Sequence, residues 1–406
     1  MSKVPKLRFP EFEGEWEEKE LGDITKYENG KAHENDISEE GKYIVVNSKF
    51  ISTEGLVKKY SDKAHCLAKK NDILMVLSDV PNGKAISKCF IVKENNCYTV
   101  NQRICVLSPK EGIIANYLFY ILDRNPYFLA FDDGVKQTNL KKEEVLNFNL
   151  SIPADQKEQQ KIADCLSSLD ELIEARKEKI ASLKTYKKGL LQQLFPQDMC
   201  NNYPHPLIFS KLPKVRFAGF EGEWEEVKLG DVVKYENGKA FENNITEEGL
   251  FNVITLRSID ISGRLKDEHL KTNYNDNSLK KGDIVMVLSD VAHGDFLGLC
   301  AIIPTDDFVL NQRMGKLYKF KNVVNTFLCF YINNKQKEFK LLGQGSSQLN
   351  LSKQDILDVH FFLPSLDEQQ KIADCLLSLD EKIATETEQV AQLQQHKKGL
   401  LQQLLV

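Results

Sequence analysis

Nine residues, EQQKIADCL, stand at Glu158–Leu166 and again at Glu368–Leu376, 210 positions later in a chain of 406. Internal similarity at a fixed offset constrains a fold more than any local motif, because both copies must reach the same structure. Here it runs far beyond the nonapeptide. LRFPEFEGEWEEKELGDITKYENGKAHENDISEEG (Leu7–Gly41) returns as VRFAGFEGEWEEVKLGDVVKYENGKAFENNITEEG (Val215–Gly249). NDILMVLSDV (Asn71–Val80) returns as GDIVMVLSDV (Gly282–Val291), and NQR occurs at Asn101–Arg103 and Asn311–Arg313. QTNLKKEEVLNFNLSIP (Gln137–Pro153) matches QLNLSKQDILDVHFFLP (Gln348–Pro364), and KKGLLQQL occurs at Lys187–Leu194 and Lys397–Leu404. Between these blocks the copies diverge: NSKFISTEGLVKKY in the first and ITLRSIDISGRLKD in the second share little. A duplicated frame therefore carries separately specialised parts.

In each copy, short β-like runs (KYIVVN, DILMVLS and CFIV in the first) and brief helical pieces such as ANYLFYILDRN precede one long helix. That order predicts an α+β chain: two tandem pseudo-symmetric α+β domains separated by an antiparallel pair of long coiled-coil helices. The expected boundaries are 1–153 and 215–364 for the domains, 154–196 and 365–406 for the helices, and 197–214 for a proline-containing linker.

From Gln156 to Leu194 there is no proline, and apolar residues fall at Leu166, Leu169, Ile173, Ile180, Leu183, Leu190 and Leu194. The second copy keeps the phase with Leu376, Leu379, Ile383, Val390, Leu393, Leu400 and Leu404. Steps of three, four and seven are those of a heptad seam. Arg176 and Lys187 interrupt one seam, Glu386 and Lys397 the other. Apolar surface left in water costs roughly 25 cal/mol per Å². Each seam is therefore expected to cover the other, the alternative being that each helix packs on its own domain. A helix of roughly 38 residues spans on the order of 55 Å, enough to hold two domains apart about a pseudo-two-fold axis.

Composition narrows the class. The hydrophobic fraction of 42% and charged fraction of 28% are ordinary for a soluble protein. No apolar run approaches a bilayer span and the start MSKVPKLRFPEFEGEW lacks a secretory signal, so a cytoplasmic location is expected. The nine cysteines form no C-x-x-C pair and no metal-ligand spacing appears, which points to reduced packing residues at Cys165 and Cys375 and to no metal. The net charge is −5, yet Lys42–Ile152 carries +5 and Leu250–Leu363 carries +2. The positive charge thus collects in the heads, a distribution that suits parts meeting phosphates and that a solvated surface of mixed charge would also show. Two related heads on a rigid spacer suit duplex DNA with two related half-sites.

Among possible DNA contacts, GVKQTNL (Gly134–Leu140) offers Lys136, Gln137 and Asn139, and GSSQLNL (Gly345–Leu351) offers Ser346, Ser347, Gln348 and Asn350. Such donors grip phosphates or read adenine edges, although polar turns before a helix also serve as N-caps. Arg103 and Arg313, identical in the two copies, suit frame or phosphate roles. Base readers are sought where the copies differ: Asn47, Ser48 and Lys49 against Thr255, Arg257 and Ser258, and Asn82 and Lys84 against His293 and Asp295. Catalysis finds no footing. NPYF (Asn125–Phe128) lacks the second proline of an amino-methyltransferase N-P-P-Y loop and suits a helix-bounding turn. LLGQGSS (Leu341–Ser347) lacks a phosphate-binding lysine.

The LRFPEF-x-G-x-W opening, two variable heads, G-x-x-Q-x-N-L, a proline followed by E-Q-Q-x-I-A, and a closing KKGLLQQL resemble, over nearly the whole chain, the specificity subunit of type I restriction-modification systems. The resemblance implies a non-catalytic subunit that reads an asymmetric bipartite duplex DNA site and docks two methyltransferase subunits, with translocase-endonuclease subunits joining the full complex. S-adenosylmethionine, ATP and magnesium would then sit on the partners, and this chain would bind no cofactor. The rival readings are a duplicated coiled-coil adaptor that binds only proteins, and a self-sufficient modifying enzyme.

Overall fold

The structure is a computed structural model, and it describes residues 4–80, 83–196, 211–240, 244–276, 278–291, 294–345 and 347–405. Most of the expected linker, 197–210, lies outside the described residues. The chain forms two compact units: Met1–Glu178 with Thr387–Val406, and Lys179–Glu386. No helix among the described residues is long and apolar enough to cross a membrane.

In the first unit an antiparallel four-stranded sheet runs in the order Thr25–Asn29, Ile104–Pro109, Ile73–Val76, Cys89–Ile91. A three-stranded sheet places Tyr43–Val46 between Tyr60–Ser61 and, in parallel, Tyr98–Val100. The run DILMV is continuously apolar because the Ile73–Val76 strand is covered on both faces. Ile73 and Met75 enter a core with Trp16, Leu21, Tyr117 and Phe128. Leu74 and Val76, pointing the other way, enter a second core with Val46, Phe50 and Val100. The second unit repeats the plan. Its four-stranded sheet is Lys234–Asn237, Met314–Tyr318, Ile284–Val287, Cys300–Ile302, and a second sheet ends in the parallel pair Phe251–Ile254 with Phe308–Leu310. Ile284 and Met286 face one core, Val285 and Val287 another.

Each copy ends in a 39-residue helix, Gln156–Leu194 and Leu366–Leu404. The start of each is fastened to the preceding head, which explains the E-Q and the I-A and final L of EQQKIADCL. Glu158, buried, receives both arms of the Arg8 guanidinium at 2.8 Å and the Trp16 indole N–H at 3.3 Å. Arg216 holds Glu368 in the same way, at 2.8 and 2.7 Å. The arginine of the L/V-R-F opening and the glutamate of E-Q-Q are thus one bidentate pair, the strong form of carboxylate hydrogen bond. Gln159 donates to the carbonyls of Pro153 and Gly112 and accepts from the Ile114 N–H, and Gln369 repeats this with Pro364, Asn322 and Val324. Ile162, Ala163 and Leu166 then enter the first head's core, and Ile372, Ala373 and Leu376 the second's.

The far end of each helix completes the other unit. In the first, Leu400, Leu401 and Leu404 join the core built around Trp16, and the Leu7 N–H bonds the Gln403 carbonyl. In the second, Leu190, Leu191, Leu194 and Phe195 join the core around Trp224, and the Val215 N–H bonds the Gln193 carbonyl.

Inside each unit the helices run antiparallel, and their polar seam positions are paired. In the first, Lys397 donates to both oxygens of Asp170 at 2.6 and 2.7 Å, and Arg176 bonds Gln389. In the second, Lys187 meets both oxygens of Asp380 at 2.7 Å, and Lys179 reaches Glu386 at 2.5 Å. Leu166, Ile173 and Val390 are buried in the first unit, with Leu169, Leu393 and Leu400 half-buried; in the second, Leu376, Leu379 and Ile383 are buried, with Ile180, Leu183 and Leu190 half-buried. The lysine interruptions thus fix register through charge while the apolar positions provide burial.

Candidate nucleic-acid interface

The duplicated polar motifs, scattered along each copy, converge. In the first unit Ser78–Asp79 pairs antiparallel with Thr138–Asn139, joining LSDV to QTNL. In the second, Ser289–Val291 pairs with Gln348–Asn350, with Ser289 opposite Asn350 and Val291 opposite Gln348. Residues opposite one another in an antiparallel ladder project to the same side. One face of the ribbon therefore carries Ser289, Val291, Gln348 and Asn350, and in the first unit Ser78 and Asn139, extended by alternation to Val80 and Gln137.

That face is internally ordered. Gln137 donates from Nε2 to Ser78 Oγ at 2.8 Å and to Asn139 Oδ1 at 3.1 Å. Gln348 makes the same two bonds, to Ser289 Oγ and, at 3.3 Å, to Asn350 Oδ1. Beside it, in the second unit, lies a groove lined by Asn237, Ser289, Arg313, Gln348, Asn350 and Lys353. The Tyr235 hydroxyl donates to Asn237, and burial raises its pKa to about 12, so the phenol keeps its proton. Tyr27 bonds Asn29 at 2.6 Å, burial raises its pKa too, and the Lys142 ammonium stands 5.5 Å over its ring. The NQR turn is carried by a glycine: a Cβ on Gly30 or Gly238 would lie 2.1 or 2.0 Å from the carbonyl oxygen of Asn101 or Asn311. Only glycine admits that approach. The carbonyls of Arg103 and Arg313 accept the Leu77 and Leu288 N–H groups, while their guanidiniums are exposed and have no hydrogen-bond or ion-pair partner among the described residues.

The ribbon's opposite side anchors the divergent loops. Asp79 accepts the N–H groups of Val80, Ala85 and Ile86, and Asp290, nearly fully buried, accepts those of Val291 and Phe296. Lys84 is exposed on the loop that Asp79 holds, and Asp295 on the Asp290 loop is paired with Lys340 at 2.8 Å.

Comparison with known proteins identifies this architecture. Residues 13–185 and 221–395, the bulk of both copies, match the type I restriction modification DNA specificity domain. The chain belongs to that family. It is 27% identical, over 98% of its length and 93% of the relative's, to the type I restriction enzyme MjaVIII specificity subunit of Methanocaldococcus jannaschii. It is 24% identical to the putative MjaX specificity subunit of the same organism, over 73% of this chain and 68% of that one. Among solved structures it shares its fold with the type I restriction-modification system S subunit from M. genitalium, at a TM-score of 0.64 and 17% identity over 99% of both chains. A chain from a type I R-M system solved for its complex assembly and conformational transition superimposes with a TM-score of 0.56 and 15% identity, over 95% of this chain and 96% of that one.

Within this family's frame the remaining sequence candidates separate. Asn82, His293 and Ser346 lie outside the described residues. Asn47 is the N-cap of the Ser48–Ser52 helix, its Oδ1 accepting the Phe50 N–H at 2.9 Å. Thr255 occupies the matching position, its N–H bonded at 3.0 Å to Ser258 Oγ, and Ser258 is buried. Asn47 and Ser258 are therefore engaged in the frame, whereas Lys49 and Arg257 are exposed beside them and Ser48 is half-buried. Lys136 and Ser347 are exposed at the approach to the ribbon. Asn125 caps the Pro126–Leu129 helix, accepting the Tyr127 N–H at 2.9 Å, so NPYF begins a helix. Sequence reasoning missed Ser78, Asp79, Ser289 and Asp290; their signal was LSDV, duplicated without change yet polar at the end of a core strand.

Proposed function

We propose that this chain is the DNA-reading subunit of its system: each head meets one half of an asymmetric bipartite duplex site, and the helical regions dock two methyltransferase subunits. The observation that carries this is the recurrence, in both heads, of one polar face beside an unpaired arginine, with divergent loops anchored behind it. A common surface serves what the two half-sites share, and the loops serve what they do not. Double-stranded DNA is the ligand, with the free guanidiniums of Arg103 and Arg313 against phosphates. The chain contributes no catalytic group and binds no cofactor; S-adenosylmethionine, ATP and magnesium belong to the methyltransferase and translocase-endonuclease partners, and the assembly works in the cytoplasm.

The test is an electrophoretic shift on random duplex, with and without the system's methyltransferase, across salt concentrations. A DNA reader loses affinity steeply as salt rises, because bound lysines and arginines release counterions. A flat response, or no shift in either condition, supports the protein-only adaptor. Transfer of a labelled methyl group by the purified chain alone would establish the self-sufficient enzyme.

A further inference from the structure

The two ribbon faces are the same although the two heads are otherwise specialised. Ser78, Val80, Gln137 and Asn139 in one correspond one for one with Ser289, Val291, Gln348 and Asn350 in the other. On the assumption of the DNA-reading role above, identical faces must recognise something present in both half-sites. Phosphate is present everywhere, but the chemistry of the face does not suit it. Each glutamine amide has its N–H₂ committed to the neighbouring serine and asparagine, which leaves Oε1 with no partner among the described residues. A carbonyl oxygen repels phosphate, whose oxygens are all acceptors. Val80 and Val291 are 63% and 61% exposed, and a valine offers a phosphate nothing.

The same groups complement an A·T pair. In the major groove adenine presents its N6 amino donor beside the N7 acceptor, and thymine presents O4 and the C5-methyl group. We propose that the ribbon face reads one A·T pair common to both half-sites. Gln137 or Gln348 Oε1 accepts from adenine N6. Asn139 or Asn350 donates to N7 with the Nδ2 hydrogen left over from its bond to the preceding glutamine carbonyl, at 3.5 and 3.2 Å. Val80 or Val291 packs on the thymine methyl. Two strands about 4.8 Å apart fit a major groove about 12 Å wide. Specificity therefore divides into a shared pair read by the frame and differing pairs read by the loops that Asp79 and Asp290 hold.

The experiment selects bound sequences from a randomised duplex pool with the full chain, alone and with the methyltransferase of its system. The expected result is an enriched bipartite site with an A·T pair in each half. Replacing that adenine by 7-deazaadenine, or the A·T pair by G·C, should weaken binding about 5- to 150-fold, the range for one well-made bidentate contact. Gln348→Met, which keeps the side chain's shape, should abolish the preference at the pair in one half only, and Gln137→Met at the pair in the other, with thermal unfolding unchanged. Loss spread evenly over all sequences would make the face a phosphate grip and overturn the proposal, as would variants that bind like the parent or half-sites without a common A·T. Failure of the parent chain to enrich any duplex would instead remove the DNA-reading role itself.

Discussion

Leu404 belongs to the closing helix of the second copy, yet it is 2% exposed in the core built around Trp16 and Tyr117. Leu404→Ala should therefore loosen the first head and leave the second untouched. Removing a buried leucine to the β-carbon costs about 2–5 kcal/mol, the larger values where the site cannot collapse. Leu404 is the last residue of its helix, where backbone can move into the gap, so the lower part of that range applies, about 2–3 kcal/mol. For a unit of this size each kcal/mol lowers Tm by about 2–4 °C, giving a fall of roughly 4–12 °C in the transition of the first unit. Hydrogen exchange followed by mass spectrometry locates the effect: protection should drop in Ala115–Leu122 and over residues 156–166, and stay constant in Asn325–Asn334. Leu194→Ala should do the reverse, since Leu194 is buried in the core of the second unit. Faster exchange in the second head after Leu404→Ala, or no change in either, would refute the exchange of helix ends.

Three further outcomes follow from the same contacts. Arg8→Met leaves the buried Glu158 carboxylate without its partner and should cost about 3 kcal/mol in denaturant unfolding, whereas Arg8→Met with Glu158→Gln should recover most of it; equal losses would mean that the pair contributes little. His33 is buried between the Lys31 carbonyl and Thr99 Oγ1, and burial depresses its pKa. The folded state thus prefers the neutral ring, and stability is lost as pH falls below the ordinary imidazole value of 6.5. His33→Phe, the residue of the second copy at position 241, should flatten the first unit's acid limb in urea titrations from pH 8 to 5, and an unchanged limb would place the sensitivity elsewhere. Inserting one heptad after Ile180 and another at the paired level near Thr385 should shift the spacing between methylated half-sites, read by methylation mapping; unchanged spacing would count against a separating role for the helices.

Much of this molecule was legible before folding. Duplication is visible in the letters alone, and a heptad period specifies which side of a helix must be covered whatever covers it. The double-faced strands could be read too, because an apolar run without alternation, such as DILMV, has to be buried on both sides. The site was legible only in part. QTNL and QLNL stood out by their donors, but Asn47 and Ser258 were drawn from the same kind of polar stretch and turned out to cap and fill. A polar side chain's letter does not say whether a backbone N–H will claim it.

What the sequence determined by itself is periodicity: two copies, two long helices with a lysine on each seam, and strands of fixed facing. What the tertiary structure alone decided is partnership. Apolar burial is non-directional, so the leucines of KKGLLQQL could have satisfied any core. The Asp170–Lys397 and Asp380–Lys187 pairs, with Arg8 on Glu158 and Arg216 on Glu368, set direction and register and send each helix end into the head of the opposite copy. The ribbon arises the same way. Ser78 and Asn139 lie far apart in the chain, and only a ladder between two short strands puts their side chains on one face.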